Sequence, residues 1–356
     1  MRMGLGKFHI MSIFQGLLLA GAAIADASVE NHIERSFHAT PGGRLTVDSD
    51  RGSIEVSTAD RDRVDITIER KVKKNGKWSV EEVLEDFAIT FDHSDDGVTI
   101  RAKYDRGHPW RWKRERNRLR VKFLITMPQR YSVDLKTLGG SISVGDLEGE
   151  VRSETAGGNL RIGRIKGPVW GRTAGGSIEV DGAEDGADVK TSGGGITLGS
   201  VAGAVEAKTA GGSIRIDKAT GSVDASTSGG NITVEEVMGS INAKTLGGSV
   251  KAYISGQPEG DCSLETSGGS VSAYVVEDIA LDVDARTTGG RVSTDIPVTT
   301  VVQGKISRNK LQGTINGGGP LLKLRTFGGS VHLRKKPIVE YVNSTDGLQR
   351  ENEKTR

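Results

Sequence analysis

Residues 191–208 read TSGGGITLGSVAGAVEAK, and residues 209–226 read TAGGSIRIDKATGSVDAS. Set one above the other, the two segments agree in kind at almost every position. Thr191 falls on Thr209, Ile196 on Ile214, Leu198 on Ile216, Val201 on Ala219, Val205 on Val223 and Ala207 on Ala225. The agreement extends outward in both directions. Glycine doublets begin at Gly139, Gly157, Gly175, Gly193, Gly211, Gly229 and Gly247, each 18 residues after the last. Two intervals of 21 follow, to Gly268 and Gly289, and a last doublet begins at Gly328. A Thr stands two residues before every one of these doublets, from Thr137 to Thr326.

Within a repeat, apolar side chains recur every second residue, as at Ile178 and Val180 or Val223 and Ala225, with charged or polar residues between them. That is the period of a strand with one buried face. An 18-residue unit with two such strands has nothing to bury them against. Stacked units do, because each aliphatic then lies on its counterpart about 4.8 Å away in the next unit. The sequence therefore predicts an all-β fold, a single-stranded parallel β-helix (β-solenoid) with 18-residue rungs. A third inward position, at Leu147, Ile165, Ala183, Val201, Ala219 and Val237, predicts a short third face. The doublet marks a corner that needs either positive φ or the absence of a side chain. The default hand of parallel crossovers is right-handed. Cys262 falls at an inward position, level with Ile241 and Val283, and is expected to act as a small buried hydrophobe.

The composition fits this plan. The chain has 356 residues with 50 Gly, roughly twice the usual share, but only 8 Pro, which excludes collagen and Pro-rich linkers. Aromatics make up only 4%. A ladder of Ile and Val can replace them, because each fully buried side chain contributes about 1.5–3 kcal/mol. The formal net charge is +2, from 48 basic and 46 acidic residues, which argues against binding nucleic acid by bulk charge. One cysteine excludes an intrachain disulfide framework and any multi-Cys metal site.

The ends differ from the body. Arg2 and Lys7 precede a mostly apolar run, Ile10 to Ile24, and Ala25-Asp26-Ala27 forms a small-residue cleavage site before Ser28. Residues 1–27 are thus expected to be a secretory signal peptide cut between Ala27 and Ser28, since the run is too short to span a bilayer. The mature chain, with no further apolar run long enough to span, is expected to be exported to the periplasm, the cell surface or the medium. Residues 28–130 are expected to form an N-terminal antiparallel β cap, with strands near Arg44–Val47, Ser53–Val56, Val64–Ile68, Phe87–Phe91, Val98–Ala102 and Arg120–Ile125. A cap protects what would otherwise be an open sheet edge. The solenoid would run over residues 131–335, and residues 336–356 would be a flexible polar tail.

Phe37 followed by Pro41-Gly42-Gly43, then Gly52-Ser53-Ile54-Glu55-Val56, form the first part of a wider pattern. Met127-Pro128 leading to Leu135, the Thr-x-Gly-Gly-Ser-Ile rungs and Gln312-Gly313-Thr314-Ile315 complete it. The arrangement resembles the bacterial putative-adhesin β-strand-repeat family over roughly residues 36–335. The resemblance implies a β-solenoid and an adhesin-like role of unassigned chemistry. It brings no catalytic residues and no cofactor.

Candidate chemistry is sparse. The six His, at 9, 32, 38, 93, 108 and 332, leave residues 131–331 without an imidazole. No helix follows the glycine doublets, so they are not phosphate loops. Asp188, Glu206 and Asp224 occupy one outward position on consecutive rungs, near the spacing of a retaining glycosidase pair. Lys190 and Lys208 on the same strands offer the alternative of a salt-bridged face. Asp181, Glu184, Asp185 and Asp188 could supply oxygens to calcium, but their spacing matches no EF-hand loop, and no metal site is expected. The most conspicuous anomaly is the segment 106–118. There Arg106, Arg111, Arg114, Arg116 and Arg118 accompany Lys113, Trp110 and Trp112. On an exported protein these residues are candidates for binding anionic lipid, lipopolysaccharide or acidic glycan. The leading expectation is a non-enzymatic adhesin-like or envelope scaffold protein. Polyanion binding is its alternative, and a polysaccharide lyase or hydrolase is a more distant one.

Overall fold

The computed structural model describes residues 28–74, 78–104, 118–300 and 307–337. The expected signal peptide, most of the Trp–Arg segment and the tail beyond 337 lie outside them. The described chain is almost entirely β, in one sheet of 15 strands and one of 14. Each rung gives one strand to each sheet. Ile178, Ile196, Ile214 and Ile232 stand in parallel register on one side. Val205, Val223 and Ile241 stand in register on the other. All of them are buried. The third inward position is buried too, from Leu147 to Val237. It is reached by continuing the first-sheet strand around a bend, as in Ile214–Ala219. Cys262 lies in the same core, level with Leu322 of the neighbouring rung.

The corner explains two invariants of the repeat. The Thr side chains are buried, and each hydroxyl bonds across two rungs. Thr209 Oγ1 donates to the Gly194 carbonyl at 2.7 Å and accepts from the Gly212 N–H at 3.4 Å. The same pair of bonds recurs at Thr155, Thr173, Thr227 and Thr245, and Thr191 makes the first of them, to the Gly176 carbonyl at 2.7 Å. The second glycine is required by space. A Cβ on Gly158 would lie 2.0 Å from the Gly140 carbonyl oxygen of the adjacent rung. Of the doublet glycines only Gly140 has positive φ, so close approach, not backbone handedness, is what excludes a side chain here.

Both ends of the stack depart from chain order. The N-terminal strands are β1 (Ser28–His38), β2 (Arg44–Ser49), β3 (Ser53–Ala59), β4 (Arg63–Lys73), β5 (Phe87–Ser94), β6 (Gly97–Tyr104) and β7 (Leu119–Pro128). β2 and β3 form a rung stacked in parallel on Ser132–Thr137 and Ile142–Val144. β6 and β7 form another rung, parallel to and outside β2 and β3. The antiparallel strands of the expected cap are β4 on β7, β1 on β4 and β5 on β6. The ladder therefore crosses residue 130 without interruption, and the cap is mixed: two parallel rungs finished by three antiparallel strands. A short helix, α1 (Val80–Glu85), sits between β4 and β5. The sequence reading did not anticipate it, although Ser79 and Glu82 form a capping box that marks its start.

At the other end, the last repeat does not stack last. Leu321–Thr326 and Val331–Lys335 insert between the rung Cys262–Val275 and the rung Leu281–Thr294. The Thr bonds follow the stack, not the chain: Thr326 donates to the Gly269 carbonyl and Thr287 to the Gly329 carbonyl, both at 2.6 Å. Lys310–Ile315 then pairs antiparallel with Leu281–Thr287 and covers its open edge.

Candidate functional site

The outward positions of the second sheet bring the carboxylate column together as the spacing requires. They also fill the space between its members with cations. Lys190 lies 3.3 Å from Asp188 and 2.6 Å from Glu206, and Lys208 lies 2.6 Å from Glu206 and 3.3 Å from Asp224. Arg172 closes the column on Asp188 at 2.5 Å. Hydrogen bonds from Lys190 and Lys208 hold the Glu206 carboxyl down at about 2. A glycosidase acid needs the opposite, a carboxyl kept protonated near neutral pH. Glu206 is thus the centre of an ion-pair ladder. A groove of about 700 Å³ runs beside the column, floored by Gly186, Ala204 and Ser222.

The four acidic residues considered for calcium do not converge. Among the described residues, no three His, Cys, Asp or Glu side chains gather as a metal would require. Charge pairing continues over the rest of the surface at a sequence distance of one rung. Examples are Arg161 with Glu179, Arg164 with Asp146 and Lys166 with Glu148. Each such exposed pair contributes about 0–1 kcal/mol.

Of the Trp–Arg segment, only Arg118 is among the described residues. It is buried, and its guanidinium donates to the backbone carbonyls of Lys73 at 2.9 Å and Trp78 at 3.1 Å. This arginine is occupied in tying β4 to the start of β7. Arg106, Trp110, Arg111, Trp112, Lys113, Arg114 and Arg116 lie outside the described residues.

Three surface arrangements escaped the sequence reading. Trp170 is held between two guanidinium groups, Arg152 at 4.2 Å and Arg172 at 4.5 Å from the ring. Tyr253 and Tyr274 stack with centroids 4.4 Å apart, with Lys251 Nζ 4.8 Å from the first ring. Ser293 Oγ lies 2.9 Å from His332 Nδ1. The first two were within reach, because Arg152 precedes Trp170 by one 18-residue period and Tyr253 precedes Tyr274 by one 21-residue period. The Ser–His contact was not, since it depends on the out-of-order insertion of the last rung. Among the described residues, no carboxylate hydrogen-bonds the His332 ring, so the contact lacks the third member of a triad.

This architecture has a counterpart among known families. A family model, Toastrack DUF4097, matches residues 43–334. The chain belongs to the Toastrack DUF4097 family. The match begins at β2 and ends in the inserted last rung, so it takes in the whole stack of rungs. Similar solved structures include a "putative adhesin" from Bacteroides fragilis, 14% identical over 86% of this chain and 97% of that one, with a TM-score of 0.38. A "putative cell adhesion protein" from Clostridium sporogenes is 10% identical over 86% of this chain and 100% of that one, with a TM-score of 0.19. A "putative lipid binding protein" from Parabacteroides distasonis is 10% identical over 86% and 97%, with a TM-score of 0.26. No curated protein matches. Among the described residues, no helix is long and apolar enough to cross a membrane.

Proposed function

We propose that this Toastrack protein is exported and works without catalysis, as an adhesin-like or cell-envelope scaffold that meets its partner through the outer faces of the solenoid. One observation supports this most strongly. The carboxylates that could have served catalysis are cross-neutralised by Lys190 and Lys208, leaving an ion-paired surface in place of an acid–base pair. Such a surface suits contact over many rungs. The test is a binding screen of the exported protein against glycans, lipopolysaccharide and anionic lipid vesicles, run beside a degradation assay on acidic and neutral polysaccharides. Binding without product supports the reading; release of oligosaccharides overturns it. Export itself is checked by N-terminal sequencing, which should begin at Ser28.

A second reading places the partner at the Trp–Arg segment. Arg106, Arg111, Arg114, Arg116 and Lys113 flank Trp110 and Trp112 in a chain that is otherwise nearly neutral. Local positive charge with interfacial Trp suits phosphate-bearing lipids or acidic glycans. A quadruple replacement, Trp110→Ala, Arg111→Ala, Trp112→Ala and Arg114→Ala, should abolish salt-sensitive vesicle binding without lowering the melting temperature. Undiminished binding rejects this reading and leaves the first standing.

A further inference from the structure

β1 is the outermost strand of the 15-stranded sheet. One of its edges pairs with β4 from end to end, Val29 opposite Val72 through Phe37 opposite Val64. Among the described residues, no strand pairs with the other edge. An edge of that length is a template for another strand. Its odd-numbered residues share the face that packs inward: Ile33 and Phe37 lie against the core, and Phe37 stands 6.1 Å from Phe91 of β5. Glu30, His32, Glu34 and Ser36 are exposed on the opposite face. One step beyond the strand, in the same register, the Ala39 N–H donates to the Asp62 carbonyl at 2.8 Å, so odd-numbered residues turn their backbone groups toward β4. Backbone groups alternate in direction along a strand, which gives the open edge to Glu30, His32, Glu34 and Ser36.

We propose that β1 pairs antiparallel with β1 of a second copy, across a two-fold axis at Ile33, joining two solenoids by their N-terminal ends. The register follows from the side chains. Even-numbered residues must meet even-numbered ones, or the hydrogen bonds fail and the apolar face is turned outward. Centred on Ile33, the pairing sets Val29 against Phe37, Ile33 against itself, Asn31 against Arg35, Glu30 against Ser36 and His32 against Glu34. No like charges meet. Centred one residue earlier, it sets Glu30 against Glu34; centred one residue later, it sets Glu34 against itself. Edge charges usually repel a second strand. Here they are complementary in one register and repulsive in its neighbours, and a two-fold contact must be self-complementary in this way.

The test uses the chain from Ser28 onward. Sedimentation should show a concentration-dependent monomer–dimer equilibrium. His32→Glu places like charges opposite each other twice and should raise the dimer dissociation constant about tenfold. The swap His32→Glu with Glu34→His should restore it. Both positions are exposed, and unchanged circular-dichroism melts will show that the fold is intact. Ile33→Cys should form a covalent dimer under mild oxidation, because the central pair is not hydrogen-bonded and its Cα atoms would lie about 4.5 Å apart, within disulfide reach. Asn31→Cys, which faces Arg35 in this register, should cross-link far more slowly. A chain that stays monomeric at every concentration overturns the proposal. So does equal cross-linking of the two cysteine variants, or a double swap that fails to rescue.

Discussion

Replacing Thr209 with Val asks why a hydroxyl stands at every corner of the stack. The side chain is buried, donates to the Gly194 carbonyl at 2.7 Å and accepts from the Gly212 N–H at 3.4 Å. Val keeps the shape and removes both bonds, leaving a carbonyl and an N–H without this partner in a half-buried corner. Stranding a buried polar group costs about 1–3 kcal/mol. Thr209→Ser is the control: it keeps the oxygen and loses one methyl, about 0.8 kcal/mol. The expected order of stability is therefore wild type, Ser, then Val. Urea unfolding followed by circular dichroism reads it directly, as a fall in midpoint at constant m. Thr173 and Thr245 lie two rungs away on either side, far enough for independence. The triple Val variant should then lose about 3–9 kcal/mol. A Thr209→Val protein as stable as Thr209→Ser would refute the claim that the hydroxyl ladder fastens the corners.

The two glycines of a doublet should behave differently. Gly157→Ala meets nothing within 4 Å, whereas Gly158→Ala brings its Cβ to 2.0 Å from the Gly140 oxygen. Urea melts should show the first within about 1 kcal/mol of wild type and the second destabilised by about 1–3 kcal/mol or more. Glu206 has a folded-state pKa near 2 against an ordinary 4.5. Its contribution is fully present above pH 4.5 and is lost as the pH falls through 2. Acid-unfolding curves of Glu206→Gln should therefore be flatter than wild type across that window. Burial pushes the Cys262 thiol above its ordinary pKa, so iodoacetamide at pH 8 should label it only after urea unfolds the chain.

The solenoid was legible because periodicity is a statement about side-chain faces, and stacking turns each face into a ladder. Ile196, Ile214 and Ile232 had to meet once the 18-residue step was seen, and the surface pairs Arg161–Glu179 and Lys166–Glu148 obey the same step. Two things were not written in the period. Spacing shows that Leu321–Lys335 is a rung but not between which rungs it lies, and backbone pairing placed it inside the rung that precedes it in sequence. Likewise β6 and β7 stack outside β2 and β3, an order set by long connections that carry no repeat. At the carboxylate column, the residues that bring acids together every rung bring lysines with them. Spacing alone left open whether Asp188, Glu206 and Asp224 were a reactive row or a paired one. The lysine Nζ distances favour the paired row.

The central claim is that 18 residues make one interchangeable unit of the stack. Deleting residues 194–211 removes one unit, joins Gly193 to Gly212 and rebuilds the doublet. Ile178 would then stack on Ile214, Val180 on Ile216, and Ala187 on Val223, with every inward residue beyond the junction on its original face. Deleting Arg215 alone removes one residue from the strand Ile214–Ala219 and turns Ile216 toward solvent. Thermal melts by circular dichroism of both variants and the wild type make the comparison. The stacked rung predicts a cooperative melt for the 18-residue deletion, close to wild type, and severe destabilisation on loss of Arg215. If removing the whole rung is as damaging as removing that single residue, the 18-residue unit is wrong and the fold argument falls with it.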